Sequence, residues 1–428
     1  METLNMSFTE LFENLLDFTF YYPLFMSYVW ISGAIYYFFY REKSEHRRPD
    51  DPPPLGDAPP VTFIVPCHNE GENVTETLYS LFEQDYPEFE IIAINDASTD
   101  NTGQVLNELA ESEPRLRVIH FEKNQGKAMG LRVGALAARH EILVCIDGDA
   151  VLDRHAAQWM VRHFVDSPRV GAVTGNPRVR NRTSLLGKIQ VGEFSSVIGL
   201  IKRAQRIYGR VFTISGVVAA FRKSAVHRVG YWGLDVVTED IDISWRLQLN
   251  HWDIRYEPNA LCWILMPETL RGLWRQRLRW AQGGIEVLRR HFHELFEWRA
   301  RRMWVVIVEL VVSTFWAYLM GLVFIIWSLA QLFEMPVPLQ QATIPPGWSG
   351  VLLGTTCLVQ FAISLVIDSR YETRLGRVYY WMIWYPIVYW MIQTAASIIA
   401  VPYALLKRPG DRAVWRSPDR GLKSTADR

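Results

Sequence analysis

The chain has no surplus of either charge: among 428 residues, 45 Lys and Arg balance 45 Asp and Glu. A neutral chain lacks the electrostatic footprint that bulk nucleic-acid binding requires. Cysteine is scarce, with only Cys67, Cys145, Cys262 and Cys357, and no pair in CxxC spacing. That excludes a disulfide framework and a thiolate zinc site, and leaves buried thiols of a reducing compartment as the ordinary reading. Neither GxxxxGK[ST] nor GxGxxG occurs, so P-loop and dinucleotide chemistry have no support. Internal repeats and low-complexity tracts are absent as well.

What is plentiful is apolar and aromatic: 49% and 13% of residues, with 17 tryptophans. This excess gathers at the two ends, and the middle has the polarity of a water-soluble domain. After an N-terminal segment (1–17), residues 18–40 carry no charge and are long enough for a membrane helix. The preceding flank is acidic (Glu2, Glu10, Glu13, Asp17) and the following REKSEHRR is basic. The chain therefore lacks a signal peptide's basic n-region there, and the next domain is expected in the cytoplasm. Residues 41–60 are a basic and proline-rich linker. Apolar segments resume over 303–407, at about 303–333, 350–368 and 378–405. The loop EMPVPLQQATIPPGW has no Lys or Arg and is expected outside, and DSRYETRLGR inside. Three further spans would leave the basic tail, 408–428, on the wrong side. Either the last segment, which holds Pro386 and Pro402, is broken or re-entrant, or the charge rule fails here.

Between the two apolar regions, residues 61–265 alternate apolar β-runs (VTFIVPC, FEIIAIND, RLRVIHF, EILVCIDGDA) with helical spacing. That alternation predicts an open, mostly parallel α/β sheet whose ligands bind where strands end. The informative polar residues stand at such ends. Asp147 and Asp149 flank Gly148 after one strand, a pair of hard oxygen ligands suited to Mg²⁺ or Mn²⁺ on a diphosphate. Asp96 closes another strand. Glu239 and Asp240 open a helix behind Thr238, which resembles an N-cap. Each has a plain alternative: a solvated turn, an Asx-turn, or first-turn acids facing a helix dipole. Their recurrence in one domain suits transfer from a nucleotide-activated donor, with one carboxylate near the nucleoside, a DxD on a metal–diphosphate and another as base. Lys127, in NQGKA, is either a phosphate contact or a surface lysine.

The run LWRQRLRWAQGG precedes the membrane segments, within interface helices expected over 266–302. Spacing predicts a helix from Leu270, with Leu270, Trp274, Leu278, Ala281, Ile285 and Leu288 on one apolar stripe. Gln276, Arg279 and Trp280 cluster opposite, with Gly272 and Gly283. Arginines that only fixed topology would flank the span. An interfacial helix, greasy outward and functional inward, fits better, since a guanidinium suits a diphosphate.

Taken together, HNE at Glu70, NDAST at Asp96, DGD at Asp147 and Asp149, TED at Asp240 and QRLRW from Gln276 resemble the motifs of processive family 2 glycosyltransferases, to which bacterial cellulose and hyaluronan synthases belong. PRVGAVTGNPR, GLIKRAQRIYGRVFT, ISGVVAAFRKSA, WILMPETLRGLW and the tail WRSPDRG are most similar to the members that make biofilm poly-β-1,6-N-acetyl-D-glucosamine. The resemblance implies an α/β GT-A (Rossmann-like) cytoplasmic domain plus α-helical transmembrane segments, and an inverting enzyme of the inner membrane that polymerises UDP-N-acetylglucosamine and exports the product. It assigns Glu70 and Asp96 to uridine, with Lys127 and Asp147 beside the nucleotide. Asp149 and Asp147 would hold Mg²⁺ or Mn²⁺, and Asp240 would be the base. Glu239, Gln276, Arg277, Arg279 and Trp280 would serve diphosphate and acceptor. It also implies a small two-span membrane partner and a response of the pair to cyclic di-GMP, although no PilZ pattern occurs. Hyaluronan, chitin or cellulose are the alternative products, and a non-catalytic transporter or scaffold is the reading from another class.

Overall fold

The computed structural model describes residues 8–43, 47–333, 348–408 and 410–412. The loop expected outside and most of the basic tail, including WRSPDRG, lie outside the described residues.

Helix α1 (Phe8–Tyr37) leads through an irregular linker into an eight-stranded sheet. Its strands are β1 (Val61–Cys67), β2 (Phe89–Asn95), β3 (Leu116–His120), β4 (Ile142–Ile146), β5 (Val151–Leu152), β6 (Val170–Val179), β7 (Val218–Arg222) and β8 (Asp253–Ile264). They lie in the order β3-β2-β1-β4-β7-β6-β8-β5. The linker is docked rather than loose: Gln158 and the Trp159 indole donate to the carbonyls of Pro53 and Pro49.

Strands β1, β2 and β4 are buried along their whole length, as expected of parallel strands covered on both faces. Alternate residues serve the two layers. Phe63, Val65, Ile91 and Val144 meet α2 (Val74–Phe82), α3 (Thr102–Ser112) and, through Trp159 and Met160, α5 (Ala156–Asp166). Ile64, Ile92, Leu143 and Cys145 meet the other layer, built on α4 (Lys127–Ala137), α8 (Lys223–Arg228) and α9 (Glu239–Leu249). Each large apolar side chain so enclosed contributes about 1.5–3 kcal/mol.

The expectation of a mostly parallel sheet holds for four of the seven strand pairings, and the sheet is mixed through β7 and the edge strand β5. Strands β1 to β4 are parallel, but β7 runs antiparallel to both β4 and β6. The chain reaches β7 only after a helical excursion through α6 (Leu185–Glu193), a π-turn and α7 (Ile201–Tyr208). Returning in that sense sets the start of β7 beside the end of β4, with Ile146 opposite Val218. A purely parallel sheet would carry that segment to the far edge, away from the DGD turn.

Two helices among the described residues are long and apolar enough to cross a membrane, Trp298–Leu332 and Ser349–Asp368. They contain α11 (Trp304–Leu332) and most of α12 (Trp348–Asp368), and α10 (Leu270–His291) precedes them. Helix α1 is long as well, but its tyrosines and Pro23 hold its hydropathy lower. The third C-terminal apolar segment is broken. A 3-10 stretch (Leu375–Trp384) and a π-turn (Tyr385–Tyr389) lead into α13 (Trp390–Leu406), with Pro386 near the break.

Charges at the ends of these helices fasten them to the α/β domain. Arg203 on α7 pairs with Glu42, just past α1, at 2.6 Å and with Asp368, ending α12, at 3.0 Å; Arg178 on β6 meets Asp368 at 2.6 Å. All four are buried, and removing one member of such a network costs about 3–5 kcal/mol. Glu372, before the broken segment, also pairs with Arg178 at 3.1 Å. At the segment's far end Arg289 donates to the carbonyls of Ala404 and Leu405, both at 3.1 Å, and Lys407 meets Glu286 at 2.9 Å. Both ends of 375–406 are therefore held on the side of the α/β domain.

Candidate active site

Four strand and helix ends converge around Lys127. Asp96, at the end of β2, is fully buried, and its two oxygens accept from the main-chain amides of Gln125 at 2.7 Å and Gly126 at 2.8 Å. Gly126 has φ +90°, a conformation that costs glycine little and other residues more. Together they fix where α4 begins, and Lys127 is its first residue. From there its ammonium reaches Asp147 at 2.5 Å, Glu239 at 3.2 Å and the Gly216 carbonyl at 2.9 Å. Lys127 is thus no surface lysine. Burial alone would lower its proton affinity, but Asp147, Glu239 and Asp240 overcome this and raise it.

The carboxylates respond in kind. Burial raises Asp147 and the Asp149 charge adds to this, against the pull of Lys127. Asp240 is raised to about 6, first by burial and then by Glu239, while Lys127, the Ile241 amide at 2.9 Å and Arg279 act to lower it. A carboxylate poised near neutrality is what a general base needs. Gly216 leaves room for it: a Cβ there would lie 3.0 Å from Asp240 Oδ2. Glu70, buried behind β1, lies against the DGD turn, where a Cβ on Gly148 would come within 3.1 Å of its Cγ.

The TED acids are held by α10. Thr238 occupies the N-cap position of α9, but its side chain makes no cap bond, which corrects the capping expectation. It packs instead against Gly283 so closely that a Cβ on Gly283 would overlap it. Nearby, Glu286 accepts from the Val237 amide at 3.0 Å. The glycine on the functional face of α10 is what allows this approach. Gly283→Ala is expected to cost about 1–3 kcal/mol through overpacking, and to lower turnover by displacing Asp240. A melting curve beside a UDP-release assay checks both.

Thr269 caps α10, accepting from the Gly272 amide at 3.0 Å. Gly272, Leu273, Gly283, Gly284 and Val287 turn inward, whereas Leu270, Trp274, Leu278, Ala281, Ile285 and Leu288 are half-buried or exposed. Inward and outward faces are as the spacing indicates except at Arg279, which is exposed, and α13 packs along the helix. Gln276 and Trp280 are half-buried on the inner side. Gln276 Oε1 has no hydrogen-bond partner among the described residues. Arg279 is exposed, close enough to Asp240 to lower its proton affinity. Arg277 departs from the QRLRW grouping. It is buried in an ion pair with Glu193 at 2.5 Å, its guanidinium 4.5 Å from the centroid of the Trp280 ring.

Lys127, Asp147, Glu239 and Asp240 therefore form one cluster, with Asp149, Glu70 and Arg279 at its border. Asp96 stands behind it as the residue that holds the loop. Sequence reasoning missed Lys202, 4% exposed, which donates to Thr174 Oγ1 at 3.1 Å. Burial lowers it to about 7, against the pull of Asp240. It also missed Gly216 and Glu286, which belong to stretches without a recognisable chemical spacing.

Known proteins agree with this architecture. Residues 59–283 match the glycosyltransferase like family 2 model. A poly-β-1,6-N-acetyl-D-glucosamine synthase of Staphylococcus epidermidis is 42% identical over 412 residues, covering 95% of this chain and 99% of the relative. One from Staphylococcus aureus (strain COL) is 41% identical over 405 residues, covering 95% and 98%. Among solved structures, a mannosyltransferase from Pyrobaculum calidifontis, in complex with GDP-Man and Mn²⁺, aligns over 92% of this chain and 99% of its own at TM-score 0.57 and 21% identity. That likeness bears on the fold, and the α/β GT-A expectation holds. With the family model spanning the whole Lys127 cluster, the chain belongs to glycosyltransferase family 2 and is a glycosyltransferase.

Proposed function

We propose that the protein polymerises N-acetylglucosamine from UDP-N-acetylglucosamine into β-1,6-linked chains and passes them outward across the inner membrane. The observation that carries this reading is the cluster of Lys127 with Asp147, Glu239 and Asp240 beneath the Gln276–Trp280 helix. The full-length likeness to synthases of that polymer supports the choice of sugar.

In this reading Asp240 removes the proton of the acceptor's 6-hydroxyl as its oxygen attacks the anomeric carbon. The bond from that carbon to the diphosphate breaks on the opposite face, so configuration inverts and UDP leaves. Lys127 and Arg279 face the charge that develops on the diphosphate. Gln276 stands on the acceptor side of α10, and Trp280 offers an indole face to the terminal sugar. Glu70 and the loop held by Asp96 border the uridine. Asp149, with Asp147, would hold a divalent cation, Mg²⁺ or Mn²⁺. Two hard oxygens on one turn fit such an ion, which keeps its remaining positions for phosphate and water. The Lys127 pairing of Asp147 makes Asp149 the main ligand. When bound, the ion neutralises leaving-group charge.

For topology, α1, α11 and α12 cross the bilayer while 375–406 enters and returns on the cytoplasmic side, which puts the basic tail inside. Ion pairs from Glu42, Asp368 and Glu372 to the α/β domain, and from Lys407 to Glu286 of α10, support this. A reporter fused after Arg412 should be accessible only from the cytoplasm; periplasmic access would overturn it. A small two-span membrane partner and a response of the pair to cyclic di-GMP belong to this reading through the likeness to such synthases.

The donor is tested by supplying membranes with Mg²⁺ and either UDP-N-acetylglucosamine or UDP-glucose. UDP release with the first and not the second is expected. Turnover of UDP-glucose alone would replace this reading with a cellulose-type synthase.

A further inference from the structure

Arg277 sits inside the QRLRW motif, yet its surroundings are those of a strut. Glu193 and Arg277 are 4% and 3% exposed, and their Oε2 and Nη2 atoms lie 2.5 Å apart. For Arg277 to reach a diphosphate it would have to leave Glu193 buried and uncompensated, a costly state. The guanidinium instead lies over the Trp280 ring, 4.5 Å from its centroid, where the negative face of an indole attracts a cation. One face of Trp280 is thus covered by the guanidinium.

The second half of the arrangement faces the membrane. Glu193 ends α6, and the Tyr385 hydroxyl lies beside its carboxylate. Tyr385 opens the π-turn of the broken apolar segment, and its ring packs edge-on against Phe361 of α12 at 4.7 Å. Met382, one turn earlier, fills the space that Gly192 leaves beside Glu193. A single buried carboxylate therefore touches both the cation under Trp280 and the segment next to α12.

We propose that the Glu193–Arg277 pair is the positioning device of the acceptor site: it holds Trp280 as a one-sided platform for the terminal sugar of the chain and ties that platform, through Tyr385, to the broken segment beside α12. Arg277 is a positioning residue, and not a diphosphate ligand. This rests on the reading that Trp280 meets the acceptor.

The experiment compares Trp280→Ala, Arg277→Lys, Glu193→Gln and Glu193→Asp in membranes supplied with UDP-N-acetylglucosamine and Mg²⁺. It records UDP released per sugar incorporated, and product length. Arg277→Lys keeps the charge but loses the flat guanidinium on the ring. It should shorten the product and raise UDP release per sugar incorporated by roughly fivefold, the size expected of a cation–ring contact. Glu193→Gln should do the same or more, and Glu193→Asp should restore most of the length. If Trp280→Ala changes length and ratio while Arg277→Lys and Glu193→Gln leave both as in the wild type, the pair has no such role. If Trp280→Ala itself changes neither, the acceptor reading of Trp280 fails, and the platform with it. Should Glu193→Gln not bind UDP, the uncharged pair Glu193→Leu with Arg277→Met takes its place, and an unaltered ratio there overturns the proposal.

Discussion

Asp240→Asn is expected to reduce polymer synthesis by about 10²–10⁴-fold, the usual contribution of a positioned general base, while UDP binding stays near the wild-type level. The substitution removes a proton acceptor and changes little else. The amide keeps the shape of the side chain and its place beside Gly216 and the Ile241 amide. In the wild type the reactive form is the carboxylate. Its proton affinity is raised to about 6 by burial and by Glu239, so kcat/KM should fall below that pH by about tenfold per unit and level off above it. Calorimetric titration with UDP, run beside a polymer assay, checks the claim. A variant that loses UDP binding along with synthesis would place Asp240 at the nucleotide and not at the acceptor.

Lys127→Met is expected to have an effect of comparable size with a different signature. The ammonium is the shared counter-charge of Asp147 and Glu239, and it also lowers the proton affinity of Asp240. Without it three carboxylates face one another with one cation fewer, and like charges in a buried site raise one another's proton affinity. The acid limb of the pH–rate profile should therefore move to higher pH, and turnover near neutrality should fall even where substrate saturates. An unchanged limb, with only a weaker KM for the donor, would reduce Lys127 to a phosphate contact.

Much of this site was legible in the sequence because its residues stand at ends of elements. A strand that breaks into Asp147-Gly148-Asp149, or a helix that opens on Glu239-Asp240, declares both its geometry and its chemistry locally. The inner and outer faces of α10 followed from spacing alone, since a 3.6-residue period puts Gln276, Trp280 and Gly283 opposite Leu270 and Leu278. Long-range pairing was not legible. Nothing near Lys127 in the chain indicates Glu239, and nothing near Arg277 indicates Glu193, because each pair is made by strand order and helix docking. The antiparallel β7 escaped for the same reason: an apolar five-residue run does not state its direction. Gly216 and Lys202 carry no chemical spacing of their own; Gly216 meets Asp240 only once β7 is laid beside β4, and Lys202 meets Thr174 only once α7 packs on β6. Asp96 marks the limit from the other side. Its position at a strand end was correct, yet the main chain of Gln125 and Gly126 takes both of its oxygens, which no spacing rule reveals.

One chain is expected to build β-1,6-linked poly-N-acetylglucosamine. The most direct test is linkage analysis of the polymer made by membranes that contain this protein and are supplied with UDP-N-acetylglucosamine and Mg²⁺. The product should be degraded by a β-1,6-N-acetylglucosamine hydrolase and resist chitinase; a polymer cut by chitinase and untouched by that hydrolase would make the protein a chitin-type synthase instead.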